Sequence, residues 1–183
     1  ESINSFSSSI TIYKNGEKIL DIYNKNDNKL IETLSITKSF CAMAIMFLIQ
    51  DGLIDSIDDL ISKYIKSWNY GKKKDITIKH ILTHSSGLDT YWSYDDFMWP
   101  EGNYDLLSNG KKPNVEELSL VIDKIYDNDK RWYYNNTATQ VIPTLIKKIT
   151  SIDISTYLNN KLFRPLGIEY EWNKDDYGNY YGP

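Results

Sequence analysis

The sequence predicts a mixed α/β fold of the α+β type, a β-hairpin near the N-terminus followed by a mostly helical body. Three observations carry this. Residues 8–23 alternate apolar and polar about an Asn-Gly pair, Ser35–Gln50 is apolar at nearly every position, and helix-like apolar spacing returns three times after position 114. In the first, Ile10 and Ile12, then Ile19 and Ile22, flank Lys14-Asn15-Gly16-Glu17, the pattern of a two-residue hairpin turn. A lone hairpin is marginal in water, so it needs more strands or a helix to cover it.

The run Ser35–Gln50 reads as a helix, with Ser35 or Thr37 able to cap its start and Gly52 its end. Its apolar residues leave no polar stripe, which predicts burial on nearly every face. Leu53–Tyr64 reads as a short helix or a turn-rich segment, and Ile76–Leu82 as a short helix entered through Asp75 or Thr77. Residues 89–114 form a long loop rich in aromatic, Gly, Pro and Asn residues, and loops of that length are usually functional or disordered. Helical spacing resumes at Val115–Tyr126, Thr137–Ile149 and Ser155–Leu162, before a Tyr/Gly/Asn-rich tail at 175–183.

Length and composition bound the function. The 183 residues suit one ordinary domain, with 41% hydrophobic residues to build a core. Lys and Arg total 21 against 25 Asp and Glu, so no basic excess exists to neutralise phosphates, and a nucleic-acid partner is not expected. A single cysteine, Cys41, forbids an intrachain disulfide, and two histidines leave little for a zinc site. The longest apolar run, Phe40–Ile49, is too short to span a bilayer. Residues 1–9 lack the basic cluster and apolar core of a targeting segment, and the missing initiator Met suggests a processed or fragmentary chain.

Two local patterns can carry chemistry. Ser35 and Lys38 stand three residues apart at a helix start, where one face brings hydroxyl and amine together. A serine nucleophile needs a base; a lysine serves when burial or a nearby cation lowers its pKa, and helix N–H groups favour a developing oxyanion. With 17 Ser and 19 Lys, about two such spacings arise by chance, and the second, Ser108–Lys111, sits in the loop with no helix to orient it. The other pattern is Tyr134-Asn135-Asn136: a phenol can shuttle a proton, and an amide can bind a carbonyl or hold a lysine. Tyr-x-Asn also begins at Tyr13, Tyr126, Tyr133, Tyr157 and Tyr177, so position alone gives it value.

Five segments in order then resemble the serine β-lactamase-related superfamily, which includes class C β-lactamases, D-alanyl-D-alanine peptidases, penicillin-binding proteins and related esterases. They are SITIYKNGEKIL, LSITKSFCAMAIMFLIQDGLIDSIDDLISKYI, ITIKHILTHSSGL, WYYNNTATQVIPTLIKKIT and YLNNKLFRPLGI. The resemblance implies a β-lactamase/transpeptidase-like fold. It implies Ser35 as the acylated nucleophile, Lys38 as its base partner, Tyr134 as the residue that completes proton transfer, and Asn136 as a contact to Lys38 and the substrate amide. Tyr133 with Asn135 also fits Tyr-x-Asn; spacing to the following helix favours Tyr134 and Asn136. The implied substrate is a small molecule or peptide bearing an amide, β-lactam or ester, with no metal or cofactor and a secreted or cell-envelope setting.

The chain departs from the family at one point. A third motif of the K-T-G type, expected on a C-terminal strand, does not occur. The expectation is therefore one partial domain: 1–30 as a hairpin of an incomplete sheet, 31–174 as the helical part and 175–183 as a tail, completed by a further C-terminal segment. A catalytically inactive binding or sensor module is the alternative. Among other residues, His84 reads as a loop-stabilising hydrogen-bonder, His80 as partly exposed, and Cys41 as a core residue. Asp55, Asp58 and Asp59 lack calcium-loop spacing and read as a solvated helix start. The aromatic group Tyr91, Trp92, Tyr94, Phe97 and Trp99 suits either a cleft wall or a surface plug.

Overall fold

The computed structural model describes residues 9–23, 30, 33–89 and 114–181. Most of the loop at 89–114, with its aromatic group and Ser108–Lys111, lies outside them. Contacts divide the chain into two units, Glu1–Glu32 and Thr33–Pro183.

The first unit is the expected hairpin, strands β1 (Ser9–Lys14) and β2 (Glu17–Tyr23) in antiparallel register. Asn15 and Gly16 both take positive φ, 51° and 83°, the conformation that a type I′ turn demands. Ile10 pairs with Ile22 and Ile12 with Leu20. Ile19 therefore lies one residue out of that face, because strand side chains alternate.

In the second unit, a 3₁₀ turn at Leu34–Ile36 runs directly into helix α1 (Thr37–Gln50). Neither Ser35 nor Thr37 caps it. Ile36 is already helical, at φ −61° and ψ −27°, so no extended residue precedes the helix to reach back with its side chain. The far end stops as expected: Gly52 sits at φ +69°, its N–H bonds the Ile49 carbonyl and that of Leu53 the Leu48 carbonyl. Burial is one-sided. Cys41, Ala44, Ile45 and Leu48 are buried, whereas Met43 and Met46 are 38% and 56% exposed. The buried face meets α5 (Val141–Thr150) and α6 (Ile154–Leu158).

Leu53–Tyr64 is turn-rich, ending in a 3₁₀ turn at Ile61–Lys63. Asp59 is not solvated: its Oδ2 accepts from the Asp55 N–H, the Tyr64 hydroxyl and Lys63. Helix α2 (Ile78–Leu82) begins at a capping box, the Thr77 hydroxyl accepting from the His80 N–H while His80 Nδ1 accepts from the Thr77 N–H. Helix α3 (Val115–Val121) is capped by Asn114 and stops five residues short of the sequence expectation. Its last turn is closed by Lys73, whose Nζ donates to the carbonyls of Leu120 (2.8 Å) and Ile122 (3.0 Å), beside the Trp68 indole that also donates to Leu120. Beyond it the chain is irregular, with a turn at 128–129, and its backbone bonds to 84–89.

The predicted helix 137–149 is two pieces, α4 (Asn136–Thr139) and α5. Pro143 has no N–H to return to the Thr139 carbonyl, so the ladder breaks there. The last helix begins at Ile154 under an Asp153 cap and outruns the expected end at Leu162. It continues through a π-helical turn, Asn159–Phe163, into α7 (Arg164–Leu166), ending at Gly167 with φ +65°. The tail folds back to α3: buried Asp175 accepts the Val115 N–H at 2.9 Å and the Asn179 N–H at 2.8 Å.

The segment 84–89 organises this unit. His84 O accepts from the Tyr133 N–H, Ser85 O from Asp129, and Gly87 O from both Ile125 (2.8 Å) and Tyr126 (3.1 Å), while the Asp89 N–H reaches the Asp123 carbonyl. Gly87 has φ +69°, and a Cβ there would overlap the Tyr126 backbone carbonyl. Gly87→Ala is expected to lose more than about 2 kcal/mol in urea unfolding, from backbone strain plus the clash. Gly71→Ala, at φ +70° with open space around it, should lose only about 1–2 kcal/mol.

Candidate active site

Four sequence-predicted residues lie together where α1 begins and α4 begins. Ser35 sits in the 3₁₀ turn, one residue after Leu34, whose φ of +45° is a strained value for a side chain of that size. Lys38, in the first turn of α1, donates from Nζ to Ser35 Oγ at 3.2 Å and to Asn136 Oδ1 at 2.7 Å. Tyr134 donates its phenolic proton to Ser35 Oγ at 2.6 Å, and the Lys38 ammonium lies 4.6 Å from the centre of its ring. One hydroxyl oxygen thus receives a phenol and an amine, and the amine is tethered by an amide from a sequence-distant helix.

Partial burial alone would raise the Tyr134 phenol. Hydrogen bonds with Lys38 and Ser35 and the ammonium charge outweigh it and hold the phenol below its ordinary value. Burial pushes the Cys41 thiol up to about 12, which leaves it a core group and no rival nucleophile. Among the described residues no cluster of three His, Cys, Asp or Glu side chains is placed to hold a metal ion, and no helix is long and apolar enough to cross a membrane.

The neighbouring asparagine has other work. Asn135 is 3% exposed. Its Oδ1 caps α4 by accepting the Ala138 N–H at 2.8 Å, and its Nδ2 donates to the carbonyls of Leu88 (2.9 Å) and Asp89 (2.8 Å). Tyr133 points elsewhere, under the Arg131 guanidinium. The Tyr134–Asn136 pair is therefore the one that meets Ser35 and Lys38.

His84 is the loop-stabilising hydrogen-bonder that the sequence suggested, and it also backs Tyr134. Its Nδ1 accepts the Asn135 N–H at 3.2 Å, and its ring lies 4.8 Å from that of Tyr134, backing the phenol as it faces Ser35. Burial, aided by the Lys38 charge, holds its pKa below the ordinary imidazole value, so it is neutral at pH 7 and free to accept. The ring contact with Tyr134 is the part that the sequence did not signal. His80 joins a separate, structural cluster with Asp129 and Ser85.

A family model described as Beta-lactamase matches residues 5–178. The chain belongs to the beta-lactamase family. Among curated relatives, Penicillin-binding protein 4* of Bacillus subtilis is 24% identical over 145 residues, covering 77% of this chain and 30% of its own length. Protein flp of Staphylococcus aureus is 27% identical over 176 residues, covering 88% and 34%. The chain thus spans about a third of the length of these beta-lactamase relatives. A solved octameric penicillin-binding protein homologue from Pyrococcus abyssi superposes with a TM-score of 0.66 at 22% identity, covering 96% of this chain and 47% of that one. The fold is β-lactamase/transpeptidase-like, and members of this family are serine hydrolases, amidohydrolases among them.

Two outcomes follow from this geometry. Asn135→Ala should cost about 2–4 kcal/mol in urea unfolding, through the lost cap and two stranded carbonyls, whereas Asn136→Ala, partly exposed, should cost under about 1 kcal/mol. His84 has a lowered folded pKa, so its contribution to stability is fully present above about pH 6.5 and is lost as pH falls through the folded value, because the unfolded chain takes the proton first. Unfolding free energy should drop as pH falls below about 6.5 in the wild type, with a shallower slope in His84→Gln.

Proposed function

We propose that this chain carries the acylation machinery of a serine hydrolase acting on an amide, β-lactam or ester. Ser35 is the nucleophile, Lys38 and Tyr134 move the proton, and Asn136 holds Lys38 and receives the substrate amide. The observation that carries the reading is the convergence on Ser35 Oγ of the Tyr134 hydroxyl at 2.6 Å and Lys38 Nζ at 3.2 Å.

In the first step, with the Tyr134 phenol already ionised beside the Lys38 ammonium, Ser35 Oγ bonds to the carbonyl carbon and its proton passes to the Tyr134 phenolate. The carbonyl C–N or C–O bond then breaks, and the departing amine or alkoxide takes that proton. Water next adds to the acyl carbon, the bond to Oγ breaks, and Oγ regains a hydrogen as the acid leaves. N–H groups at the start of the helical run favour the oxyanion in both halves. The tight Tyr134 contact and its lowered phenol suit proton transfer at a pH where an isolated phenol would hold its proton.

Intact-mass measurement after incubation with benzylpenicillin checks this. One adduct should map to Ser35 and be absent in Ser35→Ala, and Tyr134→Phe should slow its formation about 10²–10⁴-fold. The wild-type rate should climb with pH and level off below about pH 10, a climb that Tyr134→Phe abolishes. A chain that binds the penicillin equally well with and without the Ser35 hydroxyl, and forms no adduct, would be a binding or sensor module.

A further inference from the structure

Resting on that reading, we infer that His84 is the positioning residue of the Tyr134 phenol, and that only its neutral imidazole holds the phenol on Ser35. His84 grips the chain on both sides of Tyr134. Its carbonyl accepts the Tyr133 N–H at 3.0 Å, and its ring Nδ1 accepts the Asn135 N–H at 3.2 Å. Between those two bonds the imidazole lies 4.8 Å from the Tyr134 ring, inclined by 34°, with Trp132 in an edge contact at 6.1 Å on it. One residue therefore fixes the backbone before and after the tyrosine and supports its ring, while the phenol hydroxyl stands 2.6 Å from Ser35 Oγ. His84 itself is in the left-handed region, at φ +57°, and offers both its carbonyl and its ring to one stretch of chain.

Protonation removes one of these supports. Nδ1 accepts only while the ring proton sits on Nε2; the imidazolium carries a donor on both nitrogens and would present N–H to N–H. The surroundings set where that happens. Lys38 acts on the ring from α1, Tyr134, Tyr126, Tyr133 and Arg131 face it from 123–135, and Asp89 shares a cavity wall with it from its own loop. Burial first, and the Lys38 ammonium second, oppose the second proton, so the tie is released only below about pH 6.5. The new charge by itself would act the other way, because a cation beside the phenol favours the phenolate. Loss of the tie slows acylation at acid pH and charge alone would speed it, so the sign of the pH effect separates them.

The test follows Ser35 acylation by benzylpenicillin against pH in the wild type and in His84→Asn. Asparagine keeps an acceptor at the δ position and tolerates a positive φ, but it does not titrate. Rates are taken per folded chain, measured by near-UV circular dichroism at each pH, so that lost stability does not enter. The wild-type rate divided by that of His84→Asn should be level above about pH 6.5. Below the His84 pKa it should fall about tenfold per pH unit, since one proton releases the tie. The wild type shows the same break by itself if His84→Asn does not fold, as a log rate whose pH slope steepens by about one below that pKa. Independently of the chemistry, the Asn135 N–H proton resonance in NMR should move upfield as His84 titrates in the wild type and stay in place in His84→Asn. A rate ratio that is flat or rises toward acid pH, or an Asn135 resonance indifferent to the His84 titration, would overturn the positioning role. A resonance that titrates as expected on a chain that forms no penicillin adduct would support the tie and overturn the acyl-transfer reading.

Discussion

The antiparallel contact between residues 84–89 and 123–135 is the constraint on which the rest depends. Ser35 and Lys38 are local to one helix start, but Tyr134 and Asn136 lie about a hundred positions along the chain and must be delivered to them. Carbonyls of His84, Ser85 and Gly87 accept from the incoming strand, and the Asn135 side chain answers by binding the carbonyls of Leu88 and Asp89. The two Asn135 ties are buried or partly buried, and their groups would be stranded if this segment slipped by one residue. That register decides which tyrosine and which asparagine face Ser35. Gly87 makes the approach possible, since no side chain fits between its backbone and that of Tyr126.

The site built on this frame is an electrostatic compromise. Lys38 serves three partners at once: the hydroxyl of Ser35, the amide of Asn136 and the ring of Tyr134. Its hydrogen bond and charge help lower the phenol, and its charge adds to burial in holding His84 below the ordinary imidazole value, so that the imidazole can accept a backbone N–H behind the phenol. A protonated His84 would lose that acceptor and place a second cation near the first. The polar groups nearest Ser35 are thus tuned by burial, hydrogen bonding and one ammonium together, and neutrality of the backing residue is part of the geometry.

Helix α1 ties site to core. Its buried stripe, Cys41, Ala44, Ile45 and Leu48, packs on α5 and α6 and anchors the turn that holds Ser35. The asparagine caps at Asn135 and Asn114, the Asp153 cap and the Asp175 latch satisfy helix starts with short side chains. Ser35, Lys38 and Asn136 all stand at helix starts, and the Asn135 cap holds the last of these in place.

Much of this was legible in the residues. Alternation about Asn15-Gly16 determined the hairpin, because only that turn chemistry takes two positive φ values cheaply. Periodicity placed the helices, and the three-residue spacing of Ser35 and Lys38 placed their side chains on one face. Propensity could not see the early end of α3, the break before Val141 or the exposed Met43 and Met46, which depend on what packs against each segment. Spacing to the following helix favoured Tyr134–Asn136 over Tyr133–Asn135, which fits the same pattern. The tertiary structure supplies the physical reason: Asn135 is spent on a helix cap and two loop carbonyls, and Asn136 reaches Lys38. Sequence by itself determined which local shapes and chemical groups this chain has, because those follow from neighbours in the chain. Which groups meet was decided by the fold, because hydrogen bonds between residues far apart in sequence form only once both backbones are in place.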